Sequence, residues 1–273
     1  MPEHVPDVSI VTPSLNQGRY IEQTLCSVLQ QEGVRLQYIV VDGVSNDQTL
    51  EILERYRSRI DVLLIEKDDG QADAIRKGLS LATGTICAYL NSDDYLLPGA
   101  LSRVATFFSE NPGIDAVYSD RIFVDGDDRL LRYWRLPMHS NYVMCRWDFI
   151  PQETCFWRRS AMEEAGGIDP SYGFAVDYDF FARMMTRGMR FKHISDFLAV
   201  FREHPDSKTS SALQTIGLAE MDRVRSRYGC RIRRAEYLVA AAYYGQLRLR
   251  SSLFQLLNPS GPASFRDRIT TGR

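Results

Sequence analysis

The chain has 273 residues, enough for one large domain or for a domain and a tail. Its 44% hydrophobic and 25% charged content is that of a soluble globular protein, and a net charge of -2 carries no nucleic-acid signature. The charge is uneven: residues 212–273 hold eleven Arg against four acidic residues, a balance of +7, which leaves -9 on residues 1–211. The five cysteines, at 26, 87, 145, 155 and 230, form no C-x-x-C and are odd in number. Reduced thiols in a cytosolic protein are therefore expected, rather than a disulfide framework or a zinc site. The start, M-P-E-H-V-P-D, lacks a basic region followed by an apolar run, so no signal peptide is expected. No apolar segment approaches the length of a bilayer span.

Val8 to Val11 reads as a first strand, ending in Thr12-Pro13-Ser14. A helix follows, with Asn16 as its N-cap candidate and Tyr20, Ile21, Thr24, Leu25, Val28 and Leu29 at helical spacing. Gln37 to Val41 is a second strand that ends at Asp42. Asp47 is placed to cap the next helix, and Val62 to Ile65 is a third strand. Gly70 to Ala82 is a helix and Thr85 to Leu90 a fourth, doubly buried strand. Strand and helix thus alternate with short connections, the pattern of right-handed βαβ units and a mostly parallel sheet.

Open parallel sheets bind ligands outside the carboxyl ends of their strands. Three polar clusters fall there: Thr12-Pro13-Ser14, Asp42, and Asn91-Ser92-Asp93-Asp94. The last is the centre of the chain. Two adjacent carboxylates at the end of a buried strand repel each other and are costly to desolvate, and a hard divalent cation removes both problems. The plainer alternative is a polar turn ahead of a helix that starts near Pro98. Asp42 suits a ribose or base edge; its alternative is an Asx-turn onto Val44. Neither G-x-G-x-x-G nor G-x-x-x-x-G-K-[ST] occurs, so a metal is expected to supply the counter-charge for a diphosphate.

Beyond Pro98 a helix runs to about Ser109. Ala116 to Ser119, Ile122 to Val124 and Leu130 to Trp134 are short strands, with D-G-D-D at 125–128 as a solvated hairpin turn. Leu136 to Ile150 has mixed character and reads as a substrate loop. Thr154 to Trp157 is a strand, and Ser160 to Ala165 a helix that Gly166-Gly167 ends. In F-A-V-D-Y-D-F-F-A-R-M-M, Asp177 sits at a helix start, and Asp179 lies four before Arg183 as a surface or hinge ion pair. Phe191 to Ile194 and Leu198 to Phe201 are late strands leading to His204, within reach of a metal or diphosphate site. Leu213 to Tyr228 and Ala235 to Leu257 are helices. Arg223, Arg225, Arg227, Arg231, Arg233 and Arg234 form either a solvated face or a surface for anionic lipid heads.

V-S-I-V-T-P-S-L-N, I-V-V-D-G-V-S-N-D-Q-T, D-G-Q-A-D-A-I-R-K-G, L-N-S-D-D and V-D-Y-D-F-F-A-R, in this order, resemble the family 2 glycosyltransferases with the GT-A fold. The likeness covers about residues 6–210. It implies an α/β domain with a Rossmann-like mixed sheet flanked by helices: a nucleotide-binding half over about 6–110, an acceptor half over about 111–210, and a basic helical extension at 211–273. It implies inverting transfer from a UDP-, dTDP- or GDP-sugar, with Mg²⁺ or Mn²⁺, to a glycan or lipid-linked acceptor. By the same resemblance Asp94 and Asp93 hold the metal with His204 nearby, Asp177 is the catalytic base, and Thr12, Pro13, Ser14, Asp42, Gln71, Arg76, Asn91 and Asp93 bind the nucleotide sugar. The pattern departs from the family at Gly43, where a second acidic residue is common, at Arg76, where Asn is common, and at Val176, where Glu often precedes the Asp.

Two other classes compete. A sugar-1-phosphate nucleotidyltransferase would carry a glycine- and arginine-rich loop after the first strand, which T-P-S-L-N-Q-G-R-Y matches poorly. A non-catalytic nucleotide- or glycan-binding protein would share the fold without the chemistry. A cytoplasmic enzyme, peripheral at the inner membrane face, is the expected setting. The basic tail is expected to meet an anionic membrane, the acidic domain, or a second copy in a homo-oligomer.

Overall fold

The computed structural model describes residues 7–205, 207, 213–230 and 232–258. Nine strands form one mixed sheet. β1 (Val8–Ser14), β2 (Leu36–Asp42), β3 (Val62–Ile65) and β4 (Ile86–Tyr89) are its parallel half, with β1 between β2 and β4. β4 continues through the antiparallel β8 (Phe156–Arg158) to β6 (Ala116–Val124), and then to β9 (Phe191–Arg202) and β5 (Tyr95–Leu96). β7 (Leu130–Trp134) makes a hairpin with β6. The paired short strands expected at 116–124 and at 191–201 are each one long strand. Register shifts near Asp120 bend the β6–β9 pair without breaking it.

α1 (Ile21–Leu29), α2 (Thr49–Tyr56), α3 (Gln71–Ser80) and α4 (Ala100–Glu110) cover the parallel half. α3 lies so close to β1 that a Cβ on Gly78 would stand 2.4 Å from a Val11 methyl carbon. Asn16 does not cap α1. It adopts φ 53° and its side-chain oxygen accepts the Asn46 N–H, tying two loops together. Asp47 does serve the start of α2, one position early, by accepting the Thr49 N–H. α5 (Asn141–Met144), α6 (Arg159–Ala165) and α7 (Val176–Thr186) belong to the second half.

Two C-terminal helices, α8 (Leu218–Arg227) and α9 (Arg234–Leu257), pack into the same core as α7, through Val224, Tyr243 and Leu247. The arginines of α8 are engaged with the rest of the protein. Arg223 donates to Ser171, Arg225 to the Arg146 carbonyl, and Arg227 pairs with Asp169 and Asp179. Asp179 is accordingly no surface pair: it is buried between Arg183 at 2.9 Å and the Tyr228 hydroxyl at 2.9 Å. Arg231 lies outside the described residues. The cysteine expectation also changes. Cys145 and Cys230, 85 residues apart, form a disulfide because the α8–α9 link folds back onto the end of α5, while Cys26, Cys87 and Cys155 are free thiols.

Burial pushes the Asp169 carboxyl up, but the Arg227 guanidinium and the hydroxyl and N–H of Ser171 outweigh it and hold it at about 2. A carboxylate whose folded value lies below its unfolded one stabilises the fold above about pH 4, and that stability is lost as pH falls toward about 2. Arg227→Ala is therefore expected to lower stability near neutral pH and to flatten its fall with acid. Urea melts of both proteins across this range check it; an unchanged acid slope would show that the pair does not fasten α8.

Candidate functional site

A cavity of about 500 Å³ opens at the carboxyl ends of β1 and β4, within the range of small-molecule sites. Pro13 and Ser14 line it from the end of β1, Asp68, Asp69, Gly70 and Gln71 from the turn into α3, and Asn91, Ser92 and Asp93 from the loop after β4. Tyr172 and Gly173, ahead of α7, face them. Gln71 donates its amide to the Asn91 side-chain oxygen at 2.8 Å, which fixes two cavity walls against each other. The Ser14 hydroxyl oxygen is buried without a hydrogen-bond partner.

The loop Asn91–Asp94 is held from behind. Arg202, fully buried at the end of β9, donates its backbone N–H to Asp94 Oδ1 at 2.9 Å and its Nε–H to the Asp93 carbonyl at 2.9 Å. Its guanidinium also pairs with Asp128 at 2.8 Å and lies over the Tyr20 ring, so the D-G-D-D turn is not simply solvated. Thr24, on α1, donates its hydroxyl to the carbonyls of Ser92 and Asp94. This bracing separates the two carboxylates. Asp93 faces the cavity, with Oδ2 3.0 Å from His204 Nε2. Asp94 turns into the protein and is not among the lining residues. Burial and then the charges of Asp93 and Glu153 push its carboxyl well above the usual range.

Among the described residues, no group of three or more His, Cys, Asp or Glu is arranged to hold a metal. Mg²⁺, however, is commonly held by one or two carboxylates together with substrate phosphates. The Asp93 carboxylate, the His204 imidazole and the Asn91 amide oxygen are a donor set of that kind, and His204 Nδ1 is buried without a hydrogen-bond partner. The cavity-facing Asp93 carboxylate therefore fits a divalent cation held together with substrate phosphates, and Asp94 Oδ2 is likewise buried without a hydrogen-bond partner.

Asp177 opens α7, where its Oδ1 accepts the Tyr178 N–H at 2.9 Å. It does not line the cavity; its charge acts on an adjoining buried polar cluster. Burial first, then the charge of Asp177, pushes the Asp148 carboxyl well above the usual range. Tyr89 and Cys155 are raised by burial and then by the same Asp177 charge. Beside them Glu153 makes a two-pronged ion pair with Arg121 at 2.6 and 2.7 Å, and Arg121 sits over the Phe201 ring. Gln152 reaches from the Tyr89 carbonyl to Asn91, joining this cluster to the cavity.

Pro13, Ser14, Gln71, Asn91 and Asp93 thus line one cavity, with His204 against Asp93 and Asp177 in the neighbouring cluster. Thr12, Asp42, Arg76 and Asp94 do not join them. Thr12 is buried with its hydroxyl 3.0 Å from that of Tyr38. Both oxygens of Asp42 are taken, by the N–H and hydroxyl of Ser45, so its turn closes onto Ser45 rather than Val44. Arg76 pairs along its own helix with Asp73 at 2.6 Å. Asp68, which the sequence reading missed, takes up the space at Gly43: a Cβ there would stand 2.7 Å from Asp68 Oδ2. The strand-end rule points to it once applied to β3.

The profile of Glycosyl transferase family 2 matches residues 9–189, more than half of the chain. A relative from Mycobacterium bovis (strain BCG / Pasteur 1173P2), a PGL/p-HBAD biosynthesis glycosyltransferase, is 30% identical over 185 residues, 66% of this chain and 70% of its own. Among solved structures, S. aureus TarS 1-349 in complex with UDP-GlcNAc superposes with a TM-score of 0.65 at 20% identity, over 81% of this chain and 71% of that one. The mannosyltransferase PcManGT from Pyrobaculum calidifontis, in complex with GDP-Man and Mn2+, gives 0.63 at 20% identity, over 85% and 66%. At that identity the two structures speak for the fold. With the profile match and the mycobacterial relative, they make this chain a member of glycosyltransferase family 2, a glycosyltransferase built on the GT-A fold.

Proposed function

We propose that the enzyme moves a sugar, with inversion, from a nucleotide-sugar donor in the 500 Å³ cavity to a hydroxyl of a glycan or lipid-linked acceptor. The observation that carries this reading is the Asn91–Asp93 loop, clamped by Arg202 and Thr24 so that one carboxylate faces a ligand-sized cavity. Residues of about 1–210 carry the donor and acceptor sites, and the two helices α8 and α9 of the 211–273 extension brace them.

In a single displacement the acceptor oxygen forms a bond to the anomeric carbon as that carbon's bond to the diphosphate oxygen breaks. The hydroxyl proton passes to Asp177, and the leaving diphosphate takes the bonding electrons. Two nearby carboxyls with values driven apart divide acid and base roles. Here burial and the charge of Asp177 push the Asp148 carboxyl well above the usual range, which disfavours it as the base and favours Asp177. Asp93 and His204 would hold Mg²⁺ or Mn²⁺; when bound, the cation supplies positive charge against that growing on the diphosphate. Asp68 and Asp69 offer carboxylates to donor hydroxyls or base N–H groups. The Mn2+ and GDP-Man held by the structural neighbour support a metal and a nucleotide-sugar donor.

Incubation with UDP-, dTDP- and GDP-sugars and Mn²⁺ tests this. Slow release of free sugar from one donor, stimulated by the right acceptor, is expected. Binding of a nucleotide sugar with no turnover of any would favour a binding protein on the same fold.

A further inference from the structure

We propose that the outer face of α9 docks on an anionic membrane surface. The helix has 24 residues, about 36 Å at ~1.5 Å per residue. One side is committed to the protein. Ala240, Tyr243 and Leu247 are buried, and Phe254 packs against Tyr133 and Phe197. The opposite side carries Leu238, Leu249 and Leu256, exposed by 75%, 62% and 76%. Steps of eleven and seven residues are close to three and two whole turns, so these leucines lie on one line along the helix. Leu253 and Leu257, also exposed, widen that line at its end. A lone exposed leucine needs no explanation, but three in line on one helix with two more beside them at its end do.

The flanks decide what covers it. Arg248 and Arg250 stand on either side of Leu249, each roughly 100° round the helix, and Arg234 lies one turn before Leu238. All three are exposed. Glu236 is the helix's one acidic residue, and its carboxylate accepts the Arg233 N–H. A second copy laid on this face would set arginines against arginines. An anionic bilayer meets both features: the leucines enter the boundary between head groups and acyl chains, while the arginine stems snorkel to the phosphates. No helix among the described residues is long and apolar enough to cross a membrane, so contact from the side is the mode this surface suits. The contact of Tyr237 with Trp147 brings one end of α9 beside the segment that carries Asp148. A membrane-borne acceptor would thereby be held near the proposed base, although the docking argument stands on α9 alone.

The test is sedimentation of the full chain with phosphatidylcholine vesicles, with and without phosphatidylglycerol. Binding is expected only with the anionic lipid, weakened by salt. Leu249→Glu with Leu256→Glu, and separately Arg248→Glu with Arg250→Glu, should each reduce it about tenfold or more. Both pairs are exposed, so melting temperature and nucleoside diphosphate affinity should stay unchanged. Failure of native protein to bind anionic vesicles overturns the proposal, as does equal binding by the variants. A dimer by light scattering that the leucine pair dissociates, with no vesicle binding, would assign the face to a second copy instead. Donor turnover plays no part in these readouts, so they stand apart from the outcome of the donor panel.

Discussion

Asp177→Asn is expected to bind donor as tightly as the native enzyme and to transfer sugar about 10²–10⁴-fold more slowly. An amide cannot accept the acceptor's proton, but it keeps the size of the carboxylate and can still accept the Tyr178 N–H at the start of α7. The donor cavity is lined by other residues, so affinity should not move. Single-turnover transfer and calorimetry on the same preparation separate the two quantities. Asp148→Asn is the control, because burial and the neighbouring Asp177 charge already disfavour the ionised form of that carboxyl. Asp179→Asn is a second control. It weakens the buried contacts to Arg183, Arg227 and Tyr228, so it should cost stability and not chemistry. Should Asp177→Asn transfer normally, or Asp148→Asn lose transfer instead, the base is misassigned.

The parallel half was legible because its signal is local. Short β-prone runs alternate with helical periodicity, and β1 to β4 follow in order. The rule that ligands gather at strand ends points to Pro13, Ser14, Asn91 and Asp93, which line the cavity, and applied to β3 it points to Asp68. What it could not find is which way a side chain turns once the strand has ended. Thr12 and Asp42 stand at strand ends, yet Tyr38 and Ser45 claim them, and those claims depend on the fold around them. Asp93 and Asp94 are neighbours with identical side chains. Contacts from Arg202, more than a hundred positions away, and from Thr24 on α1 decide which of them faces inward. Asp148 lay in a segment of mixed character and became notable only when α7 brought Asp177 near it. The Cys145–Cys230 bridge has the same origin, since no local spacing encodes a contact across 85 residues. The arginines of α8 look identical in sequence whether they face lipid or hold the helix down. Their carboxylate and carbonyl partners, Asp169, Asp179, Ser171 and Arg146, lie earlier in the chain.

That division between Asp93 and Asp94 has a sharp consequence. Asp93→Asn should lower metal-dependent affinity for the nucleoside diphosphate by about 100-fold or more, since even partners behind a metal ligand are worth roughly 10–100-fold. Asp94→Asn should leave that affinity nearly native. The Asp94 oxygen that accepts the Arg202 N–H can be an amide oxygen, and burial already disfavours its charge. A neutral side chain of the same shape therefore changes little there. At Asp93 the substitution removes the carboxylate that faces the cavity and meets His204. Titration of UDP, GDP and dTDP into each variant, with and without Mn²⁺, measures the effect. Without metal the two variants should be alike, which separates a lost cation from a damaged cavity. His204→Ala should weaken binding in the same metal-dependent way as Asp93→Asn, because the imidazole adjoins that carboxylate. If Asp94→Asn abolishes the Mn²⁺ effect while Asp93→Asn keeps it, the inner carboxylate must rotate outward when donor binds, and the metal belongs to Asp94.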